Sequence, residues 1–294
     1  APFTTSTLQQ EANSKLGMGS RATMSAAQKL YQEGKITYMR TDSVNLSGQA
    51  IAAAADYIKR LYGHEYSQVR KFKTKSASAQ EAHEAIRPTD MAREDVSGDG
   101  YEQKLYDLIR RRTLASQMAP AKTENTTVTI NISTGKKVFT AKGQVITFDG
   151  FLRVYNIATK DEDILPPVQS GETLQTYSVE ARQVFARPPA RYTEGSLVKK
   201  LEELGIGRPS TYATIINTVQ TRGYVERGES EGTPRDVIVL QLIDGSVERE
   251  VQQEKTGSTK GKLVPTPSGE LISGFLTNHF EQIVDYDFTA NVEE

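Results

Sequence analysis

Residues 36–43, with the sequence ITYMRTDS, contain the side chains best suited to covalent chemistry in this chain. Tyr38, Arg40 and Asp42 alternate along this octet, so in an extended backbone they point to the same face. A tyrosine hydroxyl has an ordinary pKa of about 10, so it needs positive charge nearby to act as a nucleophile. Arg40 can supply that charge, since a planar guanidinium matches phosphate oxygens, and Asp42 can hold the guanidinium. The spacing favours attack by Tyr38 on a phosphodiester.

The same octet also fits a structural role, in which Tyr38 and Arg40 lie on a half-buried strand and Asp42 opens a turn. Two further segments favour the chemical role: residues 80–90 (QEAHEAIRPTD) and residues 205–213 (GIGRPSTYA). With the octet, they resemble in order and approximate spacing the motifs of the type IA DNA topoisomerases, in the bacterial topoisomerase I form more than the topoisomerase III form. The resemblance extends to residues 1–10 (APFTTSTLQQ), 188–192 (PPARY) and 286–290 (YDFTA), and so covers nearly the whole chain.

The resemblance implies an ATP-independent isomerase that relaxes negatively supercoiled DNA. Tyr38 would attack one strand and hold the new 5′ phosphate as an ester, which conserves bond energy for resealing after another strand passes. Arg40 would stabilise the attacked phosphate, as oriented positive charge does in phosphoryl transfer, with Asp42 in support. His83 matches a histidine that contacts the strand near the break, although a lone histidine is often a structural residue. Arg87 is a further candidate for that DNA surface.

The third motif contains residue types that suit a phosphate-binding turn. Its glycines let the backbone approach a phosphate, Arg208 adds charge, and Ser210 and Thr211 present hydroxyls at a helix start, where Ser210 can be the cap. Tyr212 can stack on a splayed base or pack in the core, and Arg191 is a comparable candidate DNA contact. In similar type IA enzymes this region forms the groove for the single strand upstream of the break.

The composition is that of an ordinary globular protein. The chain has 294 residues, with 36 basic against 37 acidic residues, so net charge gives no argument for nucleic-acid binding and any DNA site must be local. No segment is apolar enough to predict a membrane span. There are no cysteines, which excludes disulfides, thiolate zinc sites and thiol nucleophiles.

Type IA enzymes bind Mg²⁺ through an acidic cluster in a TOPRIM domain, which by this resemblance precedes the residues of this chain. The acidic runs at residues 161–163 and 285–287 do not match that cluster. We therefore expect Mg²⁺ in the parent enzyme but no metal site or cofactor in this chain, and little activity without TOPRIM. Because Ala1 is not an initiator methionine, we also expect a piece of a longer protein. Since the chain has no cysteines, any C-terminal zinc-ribbon region familiar from this family must lie outside it. The expected partners are single-stranded and negatively supercoiled DNA and the parent's TOPRIM domain, in the bacterial cytoplasm at the nucleoid.

Periodicity predicts which elements position these motifs. Apolar spacing and caps predict helices over residues 23–33, which stops before Gly34, over 51–61, capped by Ser47, and over 101–118. Alternation predicts strands over residues 126–132, 138–141, 145–148 and 237–240. Further helices are predicted over residues 196–204, 211–222 and 265–280.

We therefore predict a multidomain chain of mixed α and β structure, a partial type IA topoisomerase core. A helical domain with the active-site tyrosine would occupy residues 1–121, a small antiparallel β hinge or gate region residues 122–180, and a mainly helical single-strand DNA-binding domain residues 181–294. The hinge role comes from the resemblance and is not visible in the periodicity.

Two other functional classes stay open. A non-catalytic single-stranded DNA-binding module would keep the groove without the chemistry and would be indifferent to Tyr38→Phe. A tyrosine recombinase or type IB enzyme would join tyrosine to the 3′ phosphate and would need several basic catalytic residues upstream, for which Tyr38 has too little preceding chain. Reverse gyrase contains a related module, but the bacterial topoisomerase I motifs match more closely.

Overall fold

A computed structural model of the chain describes residues 1–73, 83–96, 98, 100–133, 135–155 and 164–293. They form two compact units: Ala1–Pro167 with Arg208–Ser210, and Val168–Gly207 with Thr211–Glu294. Helices and antiparallel sheets occur together, which confirms the expected mixed α and β class. The acidic run at residues 161–163 and the start of the second motif, residues 80–82, lie outside the described residues. The division into three regions at residues 121 and 180 stays a prediction.

Helices build the core of the first unit. They are α1 (Thr5–Leu16), α2 (Ser20–Gln32), α3 (Gly48–Tyr62) and α4 (Gly100–Ser116), with short 3-10 turns at His64–Tyr66 and Gly150–Tyr155. The three helices predicted for this part of the chain are confirmed as α2, α3 and α4, and Ser47 caps α3 as expected. The patterns do not predict α1, whose sequence is mostly polar. Its Leu8 is nevertheless fully buried in one core cluster with Leu30 and Leu105.

The end of helix α2 determines where the next segment begins. Gly34 adopts a left-handed φ of 68°, which a residue without Cβ accommodates readily. Its N–H donates to the carbonyl of Tyr31 at 2.9 Å, and the N–H of Lys35 donates to the carbonyl of Leu30 at 2.8 Å. This pair of bonds is a Schellman motif. It closes the helix and turns the chain directly into the octet.

A two-stranded hairpin follows α4 in the first unit. Strand β1 (Lys122–Asn131) pairs antiparallel with β2 (Val138–Phe148), and most side chains of both strands are exposed. The sequence predicts two short strands where β2 is continuous, because Lys142 and Gly143 interrupt the apolar alternation. Both residues keep their pairing with β1, opposite Thr127 and Thr126, since backbone hydrogen bonds in an exposed ladder do not require apolar side chains.

The second unit contains a three-stranded antiparallel sheet in the order β3-β5-β6, formed by β3 (Ser178–Arg182), β5 (Thr233–Ile243) and β6 (Ser246–Thr256). Short strands β4 (Val225–Arg227) and β7 (Leu263–Pro265) pair separately. The sequence patterns predict only the apolar middle of β5. Asp244 and Gly245 both have positive φ, 48° and 79°, at the two-residue turn between β5 and β6. Asp-Gly is a strong hairpin signal, and it could have revealed the polar strand β6.

Helices of the second unit are α5 (Glu194–Glu203), α6 (Tyr212–Thr221), α7 (Pro267–His279), α8 (Glu281–Val284) and α9 (Tyr286–Glu293). The helices predicted over residues 196–204, 211–222 and 265–280 are confirmed as α5, α6 and α7. Val198 of α5 and Ile216 of α6 are buried against each other and form a small core. Among the described helices, none combines the length and apolar character needed to cross a membrane.

Candidate active site

The octet after helix α2 bends at Thr37 and Met39 and is not a regular strand, but buried and more exposed side chains alternate from Tyr38 to Ser43. Met39, Thr41 and Ser43 are 1–2% exposed. Tyr38 is 39% exposed and Arg40 is also exposed. The buried side chains fix the backbone of the octet, and the solvent-facing side presents a phenol and a guanidinium two residues apart.

Hydrogen bonds hold this backbone from two directions. At the start of α1, the N–H of Thr5 donates to the carbonyl of Thr41 at 2.8 Å, and the Thr5 hydroxyl donates to the carbonyl of Met39 at 2.7 Å. Across from α1, the N–H of Thr37 donates to the carbonyl of Arg87 at 2.9 Å, and the Thr37 hydroxyl donates to the carbonyl of Ala85 at 2.8 Å. Three segments picked out by the sequence, residues 1–10, 36–43 and 80–90, therefore meet around Tyr38.

The Tyr38 ring contacts two other rings. The His83 ring centroid lies 6.0 Å away at an interplanar angle of 65°, and the Tyr31 ring centroid lies 5.2 Å away at 66°. Both are edge-to-face arrangements, which aromatic rings prefer. The structure thus brings His83 to the candidate nucleophile. None of the sequence motifs contains Tyr31, which stands near the end of a predicted helix.

Arg40 and Asp42 lie on the same segment but do not form the expected clamp. Within the described parts of the chain, no hydrogen bond or ion pair joins them, which corrects the expectation that Asp42 holds the guanidinium. Arg40 is exposed, and Asp42 is half-buried. An ion pair in contact with water contributes only about 0–1 kcal/mol, too little to fix a long side chain.

The guanidinium of Arg87 forms hydrogen bonds with nearby residues of the same segment. Its Nε and Nη2 donate to Oε2 of Glu84 at 3.2 and 2.7 Å, and its Nη1 donates to the carbonyl of Pro88 at 3.0 Å. Glu84 also accepts a hydrogen bond from the N–H of Ser47, the cap of α3. Burial alone would raise the pKa of Glu84, but the hydrogen bonds from Arg87 and Ser47 outweigh it, so the pKa is lowered. These contacts join the second motif to the start of α3.

The third motif begins with two glycines in left-handed conformations. Gly205 and Gly207 have φ values of 72° and 79°. A Cβ on Gly205 would lie 3.5 Å from the Cβ of Ala290, and one on Gly207 would lie 3.1 Å from the Tyr212 ring. The N–H of Gly207 also donates to the Glu293 carboxylate of α9. Motif residues of the second unit therefore pack closely against its terminal segment.

The remaining residues of the third motif have different exposures. Arg208 and Thr211 are half-buried and Ser210 is exposed. The cap of α6 is Thr211, without a side-chain cap hydrogen bond, so the expectation that Ser210 caps this helix is wrong. A turn over residues 209–211 delays the helix start past Ser210. Tyr212 is 6% exposed and packs against Val198 and Ile216 in the small core. Base stacking by Tyr212 would require it to be uncovered, and it stays a prediction.

A cavity of about 1520 Å³ lies within the second unit. Its walls include Arg187, Arg191, Tyr192, Lys262 and Tyr286, so cations and aromatic rings face the same space. Arg235 also lines it, with its guanidinium 3.8 Å from the Phe185 ring centroid and an ion pair to Glu254. The PPARY and YDFTA segments thus contribute to one cavity, of a kind that could accept a nucleotide chain.

The described ranges contain no group of three or more His, Cys, Asp or Glu side chains placed to hold a metal ion. The site as described therefore consists of an exposed phenol, a neighbouring guanidinium and an imidazole. These groups suit nucleophilic attack on a phosphate.

Comparisons with known proteins agree with this geometry. The family described as DNA topoisomerase matches residues 1–258. DNA topoisomerase 1 of Zymomonas mobilis is 43% identical over 305 residues, covering 100% of this chain and 22% of the relative. The Vibrio cholerae DNA topoisomerase 1 is also 43% identical, and the match covers 100% of this chain and 30% of the relative. The prokaryotic-type DNA topoisomerase 1 of Acanthamoeba polyphaga mimivirus is 42% identical, and the match covers 99% of this chain and 37% of the relative.

A solved structure agrees with these sequence matches. Full-length topoisomerase I from Thermotoga maritima superposes with a TM-score of 0.75 at 34% identity, covering 99% of this chain and 44% of that one. The chain thus spans between 22% and 37% of the length of the curated relatives named above. The family match extends over most of the residues and includes every segment around Tyr38, so the chain belongs to the DNA topoisomerase family, in its bacterial type IA branch.

Proposed function

We propose that this chain is the tyrosine-bearing part of a type I DNA topoisomerase, which cleaves and reseals one strand through Tyr38 and so relaxes negatively supercoiled DNA. One observation carries the proposal. Tyr38 is 39% exposed on a backbone held from both sides, the exposed Arg40 follows two residues later, and the Tyr38 and His83 ring centroids lie 6.0 Å apart. The relatives are named DNA topoisomerase 1, but the chain spans a minority of their length, so the activity belongs to the longer protein.

In the proposed reaction the Tyr38 oxygen attacks the phosphorus of a phosphodiester after its proton passes to a base. The oxygen–phosphorus bond to tyrosine forms as the bond to the 3′ oxygen breaks, and that oxygen takes up a proton from solvent as it leaves, becoming a hydroxyl. Resealing is the reverse step, in which the 3′ hydroxyl displaces Tyr38. One ester replaces another throughout, so the exchange needs no ATP. Arg40 stabilises the extra negative charge on the phosphate during each transfer.

His83 and Arg87 complete the proposed DNA surface near the break. His83 is exposed beside Tyr38, where it can contact the strand being attacked. Arg87 has five N–H donors, of which Glu84 and Pro88 engage three. Its main proposed contribution is therefore to hold the segment that carries His83, with a phosphate contact through its remaining donors.

Two places are proposed to bind the single strand. Arg191 lines the cavity of the second unit, and Arg208, Ser210 and Thr211 belong to the glycine-rich turn that suits a phosphate. Tyr212 is also proposed to stack on a base, for which its buried ring would first have to become exposed. With 36 basic and 37 acidic residues overall, strand binding has to rest on such local groups.

Magnesium is proposed as the cofactor of the full-length enzyme, bound by its TOPRIM domain. The part of this chain that the structure describes offers no cluster of carboxylates or histidines that fits a divalent cation. The same proposal makes the TOPRIM domain a partner of the tyrosine-bearing unit. Action on chromosomal DNA places the enzyme in the bacterial cytoplasm, at the nucleoid.

The test uses the full-length protein with Mg²⁺ and a single-stranded oligonucleotide labelled at one end or the other, stopped with detergent. Only the label on the 3′ side of the break should transfer to protein, and Tyr38→Phe should abolish the transfer. Tyr177→Phe is the matched control, since Tyr177 is 81% exposed and lies outside the motifs. Oligonucleotide binding without an adduct from the wild type would leave a non-catalytic single-strand-binding module, and transfer of the 5′-side label would indicate 3′ attachment.

A further inference from the structure

We infer that Tyr31 is a positioning residue that orients the Tyr38 ring for attack. The inference rests on the proposed function and adds a residue that none of the motifs contains. The Tyr31 and Tyr38 ring centroids lie 5.2 Å apart at an interplanar angle of 66°. That geometry directs the positive edge of one ring at the negative face of the other, and it favours a particular ring orientation as well as proximity.

Both tyrosines project from backbone that is held in place by hydrogen bonds and buried neighbours. Tyr31 lies in the last turn of α2, and its carbonyl accepts the N–H of Gly34 in the Schellman motif. The residue before it, Leu30, is 1% exposed in the core. Tyr31 therefore projects from a fixed helix end. The backbone of Tyr38 is also fixed, by buried Met39 and by Thr37, but the Tyr38 side chain is 39% exposed and needs a side contact to restrict its rotation.

Fixing the rotation of a nucleophile matters because displacement of a reacting atom by about 1 Å can slow a reaction by about 100-fold. The phenol oxygen lies at the far end of the Tyr38 ring, so a small rotation about the side-chain bonds moves it by that distance. A ring contact holds the side chain and leaves the oxygen unencumbered. Tyr31 can thus act through Tyr38 without touching DNA.

A purely structural role for Tyr31 fits less well. It is 41% exposed, and it is not among the residues of the buried clusters. Its described side-chain contact is the ring of Tyr38. Removal of Tyr31 should therefore change stability little while changing the orientation of the nucleophile. An edge-to-face ring pair shifts an equilibrium by about two- to tenfold, which sets the size of the expected effect.

The test compares Tyr31→Leu, which removes the ring, with Tyr31→Phe, which keeps it. Tyr101→Leu is the matched control, because Tyr101 is also an exposed tyrosine near a helix end, at 55% exposure. For each full-length variant, single-turnover adduct formation is measured at saturating oligonucleotide, and the oligonucleotide Kd and the thermal unfolding midpoint are measured separately. If Tyr31→Leu does not fold, Tyr31→Gln replaces it at this exposed position.

Support for positioning is a cleavage rate at saturation about two- to tenfold lower in Tyr31→Leu, an unchanged Kd, and a near wild-type rate in Tyr31→Phe. A raised Kd with an unchanged saturated rate would overturn the inference and make Tyr31 a DNA contact. An equal loss in Tyr31→Phe or in Tyr101→Leu would overturn it as well. These results presuppose an adduct from the wild type, so failure of the proposed function, seen as no adduct at all, is distinguishable from failure of this inference.

Discussion

Thr5 and Thr41 are joined by reciprocal hydrogen bonds although they lie 36 positions apart in the sequence. The N–H of Thr5 donates to the carbonyl of Thr41 at 2.8 Å, and the N–H of Thr41 donates to the Thr5 hydroxyl at 2.8 Å. The same hydroxyl donates to the carbonyl of Met39. A single threonine at the start of α1 therefore satisfies backbone groups on both sides of Arg40 and fixes the segment that carries Tyr38.

Thr5→Val should loosen this segment, because it keeps the side-chain shape and removes the hydroxyl. Thr5 is 0% exposed, so the N–H of Thr41 would be left buried without its acceptor. An unsatisfied buried group costs about 1–3 kcal/mol, and we expect the free energy of unfolding to fall by that amount in urea denaturation. Thr129→Val, on the exposed strand β1, is the control and should change it little. Equal stability of Thr5→Val and wild type would mean that these bonds do not hold the octet.

The contact between Glu84 and Arg87 should make stability depend on pH. The folded pKa of Glu84 lies below its ordinary value of 4.5, so its carboxylate stabilises the fold above that pH. The contribution is lost as pH falls through the lowered folded pKa. Glu84→Gln should therefore be less stable than wild type near pH 7, with the difference shrinking as the pH drops below about 4.5.

Urea unfolding of both proteins across that pH range measures the effect, with Glu124→Gln on exposed β1 as the control for loss of one negative charge. A stability difference that is the same at pH 7 and pH 3, or that grows on acidification, would contradict the assigned role of Glu84.

Local patterns predict the helices near the site but not the contacts between segments. Gly34 and Ser47 mark a helix end and a helix start through backbone chemistry that sequence alone shows. Tyr31 and Thr5 lie in ordinary helical sequence, and their importance arises only when distant segments pack together. Asp42 illustrates the opposite case. Its spacing from Arg40 permits an ion pair, but the described residues do not form one, because water competes for exposed charged groups.

Gly34→Ala should strain the turn between Tyr31 and Tyr38. An added Cβ would meet no atom within 4 Å, so the effect isolates the left-handed φ of 68°. That conformation costs a residue with a side chain about 1–2 kcal/mol, and we expect a loss of stability of this size in urea denaturation. Gly48→Ala is the matched control, because its Cβ also meets nothing within 4 Å but its φ is not positive. Gly48→Ala should leave the free energy of unfolding unchanged or raise it. Equal losses of unfolding free energy in the two variants would exclude φ strain as the cause.

Arg40 and Asp42 should act independently, since no described hydrogen bond or ion pair joins them. Arg40→Gln should slow single-turnover cleavage by the full-length enzyme by about 100-fold, the effect of removing one preorganised charge-stabilising group. Asp42→Asn should change the rate by the same factor in the wild type and in Arg40→Gln, because residues without shared contacts have additive effects. Adduct formation by the two single variants and the double variant forms the complete cycle. A loss from Asp42→Asn that disappears in the Arg40→Gln background would show that Asp42 acts through the guanidinium once DNA is bound.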